Sequence, residues 1–418
     1  MINYSKAKKL LKINKINLRT EILNVSETLN RVNSENIYSK VNYPVENNTA
    51  FDGYAINSND THLLNKKKPK LFKVLKRIAA GQNPKISKVK KFETVEVMTG
   101  ALILKPFDTI IPVERINFHP NKNKKNFIYI NKKIKKHNHI RFKGSDFKIN
   151  DLIISKGEII NQSHILALKS LGIKKVKVVQ KPKILFFSTG NEISEKRRLK
   201  KWQIPNSNRQ YIKSLSKNFL FDFIDGGTLR DNHEKRFEKI LKKKINSNIN
   251  IIITSGAVSA GKFDFVPSVI KKFKLNGFFK GVAMRPGRPI LFAKFKNSET
   301  CFFGIPGNSI SSAACFRFFV YPYMENILNI KSEKPFKAIL KKSFKKNKNF
   351  TRFLKAKIIS TRNGNLQVEI LKGQESFKIK PLVKSNVWAV LKSGKSFYRR
   401  GELIDCFGLN FPNQNILK

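Results

Sequence analysis

Two runs of consecutive apolar residues, each followed at once by glycine and small hydroxyl residues, constrain this chain most. Ile184–Phe187 leads into Ser188-Thr189-Gly190, and Ile251–Ile253 leads into Thr254-Ser255-Gly256-Ala257-Val258-Ser259-Ala260-Gly261. A strand that is apolar on both sides must be covered on both faces. The segments between such runs carry helical spacing. Asn208 is placed to cap a helix bearing Ile212, Leu215 and Phe219, and Asp231 to cap one bearing Phe237, Ile240 and Leu241. Phe221–Ile224, Pro289–Ala293 and Cys301–Gly304 continue the strands, and Asn308 caps a further helix. The alternation predicts an α/β unit with a central parallel sheet between helices. Ligands on such sheets sit at the carboxyl ends of the strands, where the Gly/Ser/Thr loops fall.

The rest of the chain reads differently. At 418 residues there is room for about three domains of roughly 150 residues each. Residues 1–42 read as helical, with a second helix following a cap at Ser26. Residues 51–135 turn β-rich, with strands such as Leu71–Leu75, Thr94–Met98, Thr109–Pro112 and Phe127–Ile130. Asp151–Ile154 is a strand, Gln162–Leu171 a helix closed by Gly172, and Lys174–Val179 a strand. Gln180–Pro182 marks a boundary to the α/β region. Beyond residue 332, short segments at Lys337–Leu340, Phe353–Ile359, Leu366–Leu371, Val387–Leu391 and Leu403–Phe407 predict a small β-barrel.

The net charge is +56, from 84 Lys and Arg against 28 Asp and Glu. The lysines are dispersed rather than gathered on one arm or helix face, and Lys, Asn, Ile and Phe are heavily used throughout. That favours compositional drift over a nucleic-acid footprint. No apolar run approaches the ~18 residues of a membrane span. The N-terminal segment has cations without an apolar core, so the expected location is cytoplasmic. Cys301, Cys315 and Cys406 lack metal-ligand spacing and read as buried reduced thiols. His137 and His139 have no third ligand nearby, which argues against zinc.

Seven segments carry candidate chemistry. In Ser255–Gly261, Gly256 and Gly261 permit a tight path whose N–H groups can face phosphate oxygens, and Ser255 and Ser259 add hydroxyl donors. Asp264 follows and is able to hold magnesium or cap a helix. Ser188-Thr189-Gly190-Asn191-Glu192 looks like a second wall of the same cleft. Pro306-Gly307-Asn308 precedes a helix, whose N-terminus attracts anions. Arg285 and Arg288 flank a rigid Pro-Gly turn and can clamp an oxyanion. In the N-terminal half stand Asn48–Ala55 with Asp52, Met98–Ala101 with Thr99, and Arg141–Asp146. Each acidic residue alone reads equally well as a turn or capping carboxylate.

In their order, these segments resemble the MoeA family of bacterial molybdopterin molybdenumtransferases, which includes the C-terminal domain of gephyrin. PVENNTAFDGYA, EVMTGALILKPFDTIIPVE, STGNEI, TSGAVSAGKFDF, MRPGRP and GIPGNS carry the resemblance, which runs from about residue 5 to 410. It implies four parts: residues 1–42 with 147–180, an inserted β-rich domain at 43–146, an α/β molybdopterin-binding domain at 181–331, and a barrel at 332–418. It implies a homodimer, with the inserted domain of one subunit reaching over the cleft of the other. The implied substrates are molybdate and adenylylated molybdopterin. With Mg2+ the anhydride is cleaved, AMP leaves and molybdenum stays on the dithiolene. Carried over by position, Asp52, Thr99, Asp146 and Asp264 are catalytic candidates, and Glu192 and Asp264 metal candidates. Exchange with other cofactor-biosynthesis proteins is also implied.

Ser309, Ser145, Leu102 and Trp202 depart from the family's usual Pro, Glu, Pro and Gly. Ser145 removes a charge beside Asp146. The alternatives are a non-catalytic molybdopterin-binding scaffold and a nucleic-acid-binding protein. The order of the motifs weighs more than composition.

Overall fold

The computed structural model describes residues 1–409 except 87, 122–123, 218–220, 246, 259–263 and 361–362. The chain divides into two compact units, one of residues 1–35, 156–162 and 175 onward, the other of 36–155 and 163–174.

The second unit is built on a six-stranded sheet in the order Thr109–Pro112, Gly53–Ile56, Glu93–Val97, Lys70–Ile78, Lys124–Ile130, Asn117–Asn121. Alternate residues of its strands enter opposite cores. Tyr54, Ile56, Ile111 and Ile128 pack on one side, and Ala55, Val95, Val97 and Ile110 on the other. This is the period of two expected of a pleated strand.

In the first unit, helix Tyr4–Ile13 is capped by Asn3, whose side chain accepts from the Lys6 N–H. The second helix expected in residues 1–42 is absent. Thr20–Asn24 is instead a strand, antiparallel to Lys175–Val179, with alternating burial. Val25–Glu27 makes a single 3-10 turn, and Asn30 at φ 60° lies beyond it. Ile22 and Leu23 fall on opposite faces of an edge strand, Ile22 exposed and Leu23 partly buried, and strand pairing overrides the cap signal.

The central sheet runs Asp222–Leu229, Lys183–Thr189, Ile251–Ser255, Cys301–Ile305, Leu291–Phe295, Leu275–Lys280. Its first four strands are mutually parallel, as the apolar runs require. Leu291–Phe295 is antiparallel to both neighbours. The short link from Phe295 to Cys301 is too brief for a crossover, so only a hairpin is possible there. Ile184, Phe186, Ile251, Ile253 and Phe303 face one core, and Leu185, Phe187, Ile252 and Phe302 the other.

The C-terminal strands Phe336–Leu340, Thr351–Ser360, Leu366–Ile370, Val387–Leu391 and Leu403–Gly408 close on themselves, because Thr351–Ser360 pairs with both Leu366–Ile370 and Val387–Leu391. Leu340, Leu354, Ala356, Val368, Ala389 and Cys406 fill this five-stranded barrel. Its outer face packs on the α/β region through Phe353, Trp388 and Val390. A two-residue strand, Met284–Arg285, joins the barrel sheet alongside Thr351–Arg352. Among the described residues no helix is long and apolar enough to cross a membrane.

Candidate functional site

The parallel strands Lys183–Thr189, Ile251–Ser255 and Cys301–Ile305 are neighbours, so their loops emerge side by side. They are stitched together. Thr189 Oγ1 donates to the Ser255 carbonyl at 3.0 Å, and the Gly256 N–H to the Ile305 carbonyl at 2.8 Å. Gly256 has φ +106°, and a β-carbon there would fall 2.4 Å from Thr189 Oγ1, so this crossing demands glycine. Gly287, at φ +99°, meets the same limit: its β-carbon would lie 2.6 Å from Cys315 Sγ.

These loops line a cavity of about 1210 Å³. Ser188, Thr189, Gly190, Glu192, Ser255, Gly256, Asp264, Arg285, Arg288, Pro306, Gly307 and Asn308 all border it. Ser259 and Gly261 lie outside the described residues. Asn208 and Asp231, expected as caps, serve the loops instead. Helix Ser207–Ser216 begins after Asn206, and Asn208 Nδ2 donates to Ser255 Oγ at 2.8 Å and the Gly307 carbonyl at 2.6 Å. Helix Glu234–Lys244 begins after His233, and Asp231 accepts from Asn191 Nδ2 at 2.7 Å. Asn308 does precede helix Ser309–Cys315 and donates to Ser376 Oγ at 3.3 Å. Ser309 opens that helix without difficulty.

Sequence reasoning missed the barrel's share of the cavity: Phe344, Arg352 and the loop Lys372–Phe377. The signal was present in Gly373-Gln374-Glu375-Ser376, a polar turn between strands of the same kind as those singled out upstream. Arg285 and Arg352 are register partners in the strand pair, and Arg288 lines the same cavity. None of the three guanidiniums is ion-paired among the described residues. The Arg285 guanidinium rests on the Phe350 ring at 4.9 Å. Arg352 Nε is buried without a hydrogen-bond partner among the described residues. Burial, and then the Arg285 charge, pull the Arg352 pKa down. Such a constellation holds unspent positive charge for an anion.

Among the described residues no group of three His, Cys, Asp or Glu is close enough to hold a metal. Glu192 and Asp264 nevertheless border one cavity. Mg2+ is usually held by one or two carboxylates plus substrate phosphates and water, so this donor set fits it.

In the other unit, Asp52 and Thr99 form a pair. Asp52 Oδ1 accepts from the Thr99 N–H at 2.6 Å and from its hydroxyl at 2.7 Å. The backbone donor, then the hydroxyl, hold the Asp52 carboxyl below its ordinary range. A depressed carboxylate contributes stability above its unfolded pKa, and that contribution is lost as pH falls through the folded value. Thr99→Val keeps the N–H and removes the hydroxyl. It should raise the Asp52 pKa part of the way back, as read by carboxyl-carbon NMR titration; an unmoved titration would show that the hydroxyl contributes nothing. Asp146 is exposed, its N–H bonded to the Tyr43 carbonyl at 3.0 Å.

A parallel-sheet domain with a strand-end cavity roofed by a barrel defines a small-molecule enzyme of the α/β class. Comparison with known proteins names the family. Residues 2–172 match the MoeA N-terminal region (domain I and II), 186–326 a probable molybdopterin binding domain, and 337–407 the MoeA C-terminal region (domain IV). The chain belongs to the MoeA family. A molybdopterin molybdenumtransferase of Haemophilus influenzae is 32% identical over 92% of this chain and 93% of its own length. One from Synechococcus elongatus is 26% identical over 97% and 99%. The crystal structure of the molybdopterin biosynthesis MoeA protein of Pyrococcus horikoshii superposes with TM-score 0.81 at 26% identity, covering 98% of this chain and 99% of that one. The protein is thus a transferase, with a role in molybdenum cofactor biosynthesis.

Proposed function

We propose that this protein inserts molybdenum from molybdate into adenylylated molybdopterin, with Mg2+-dependent cleavage of the anhydride and release of AMP. The observation that carries the proposal is the cavity itself, where stitched Gly/Ser/Thr loops share the lining with three guanidiniums that have no carboxylate partner among the described residues. Both substrates are multiply anionic. The strand-end loops, with Ser188, Thr189, Ser255 and the start of helix Ser309–Cys315, suit the phosphates. Arg285, Arg288 and Arg352 suit the tetrahedral dianion molybdate. Glu192 and Asp264 would hold Mg2+, which when bound neutralises phosphate charge and eases departure of AMP. We assign Asp52, Thr99 and Asp146 to the same reaction in a cytoplasmic homodimer, the product passing to other proteins of cofactor biosynthesis.

The test supplies adenylylated molybdopterin, Mg2+ and molybdate, and measures AMP release together with molybdenum retained on the pterin. No release by the wild-type protein would overturn the proposal and favour a non-catalytic scaffold. A charged hydrogen bond contributes ~1.5–3 kcal/mol, so Arg352→Met should raise the KM for molybdate about 10- to 100-fold. An unchanged KM would remove Arg352 from the anion site.

A further inference from the structure

Two cations that do not reach the cavity each grip one of its wall loops by the backbone. Lys355, on barrel strand Thr351–Ser360, is 1% exposed. Its ammonium donates to the carbonyls of Gly373 at 2.7 Å, Lys378 at 3.0 Å and Glu375 at 3.1 Å. An ammonium has three donors, so three carbonyls consume all of them. The Gln374 side chain doubles the attachment, accepting from the Lys355 N–H and donating to the Lys355 carbonyl. The loop so held is the one that lines the cavity beside Arg352. At a second wall loop Arg230 Nη1 donates to the carbonyls of Asn191 at 2.9 Å, Ile193 at 3.0 Å and Gly190 at 3.1 Å. These carbonyls bracket Glu192, which lines the cavity although Arg230 does not.

We infer that Lys355 and Arg230 are positioning residues that preset, respectively, the molybdate-side and the metal-side wall of the cavity. The argument is one of geometry. Neither cation lines the cavity; the Lys355 ammonium spends all three of its donors on carbonyls of one short loop, and Arg230 spends its Nη1 group on carbonyls of the other. Removing either leaves three carbonyls without their donor and frees that loop alone. Misplacement of about 1 Å at a site is enough to cost large factors in rate or affinity.

This inference rests on the proposed reaction, so the experiment has one arm independent of it. In metal-free protein, hydrogen exchange followed by mass spectrometry should speed up at residues 373–378 in Lys355→Met and at 190–193 in Arg230→Met, each without change at the other loop. In the AMP-release assay, Lys355→Met should raise the molybdate KM about tenfold or more and leave the half-saturating Mg2+ within about twofold. Arg230→Met should show the opposite pattern. Lys355→Arg and Arg230→Lys, which keep the charge and some donors, should fall between each Met variant and wild type. If Lys355→Met does not fold, Lys355→Arg carries the test: normal molybdate KM and normal exchange at 373–378 in that variant would overturn the inference. So would equal effects of both Met variants on both ligands, the mark of general loosening. Wild-type protein without AMP release would overturn the reaction instead, and the crossed exchange pattern would still decide the positioning.

Discussion

Asp264→Ala should lower kcat by about 10²- to 10³-fold while the melting temperature stays within a few degrees of wild type. On the proposed reaction, the size follows from losing a carboxylate that would hold Mg2+ where that ion would neutralise phosphate charge. Asp264 is half-buried, borders the cavity, and stands just before helix Val266–Lys271. It makes no contribution to the hydrophobic clusters, where Phe265, Val266, Val269 and Ile270 do the packing. Substrate binding and chemistry should suffer, while this apolar packing keeps the fold. The measurement is single-turnover AMP release across a range of Mg2+, beside a thermal melt. A variant with normal turnover would mean that the metal and the anhydride lie elsewhere in the cavity.

The parallel core was legible because Ile184–Phe187 and Ile251–Ile253 are apolar on both sides, and burial of both faces leaves few other arrangements. The cavity was half legible for a related reason. Loops at the ends of adjacent parallel strands must lie together, so Ser188, Ser255 and Pro306 were placed by topology alone. The other half was not. Arg352 and Lys372–Phe377 reach the cavity because the barrel docks through Phe353 and Trp388, a packing event with no local sequence signature. Asn208 and Asp231 misread for a related reason: both are good cap residues, and a cap and a cross-loop tie use the same short polar side chains. The strand Leu275–Lys280 escaped notice because it is an edge strand with only partial burial.

The charge also becomes intelligible in part. Lys294, Lys346 and Lys355 are buried, and each ammonium bonds to backbone carbonyls. Burial pulls the pKa of all three downward. In a chain with three times more cations than carboxylates, carbonyl oxygens are the acceptors that remain. Lysines that look like surface drift in the sequence thus include several that hold loops in place.

Arg317→Met should destabilise the protein by about 3–5 kcal/mol, the cost of leaving a buried carboxylate without its partner. Arg317 and Glu333 form an ion pair at 2.6 Å with side chains 3% and 5% exposed. The guanidinium lies between the rings of Phe318, Tyr321 and Phe407 at 5.3–5.5 Å. Its Nε donates to the Gly408 carbonyl at 3.0 Å, on the last barrel strand. Phe318 stacks on Phe353 of the barrel at 4.0 Å. The pair therefore sits where the α/β helices meet the barrel that supplies Arg352 to the cavity. A buried pair is often no better than well-packed apolar residues, so the double variant Arg317→Met/Glu333→Leu should recover most of the loss. Denaturant melts of the four proteins in the cycle measure this. If Arg317→Met alone costs less than about 1 kcal/mol, the pair is solvated and the barrel is held by its aromatic contacts. If the double variant is as unstable as the single, the guanidinium acts through the Gly408 carbonyl and the rings rather than through Glu333.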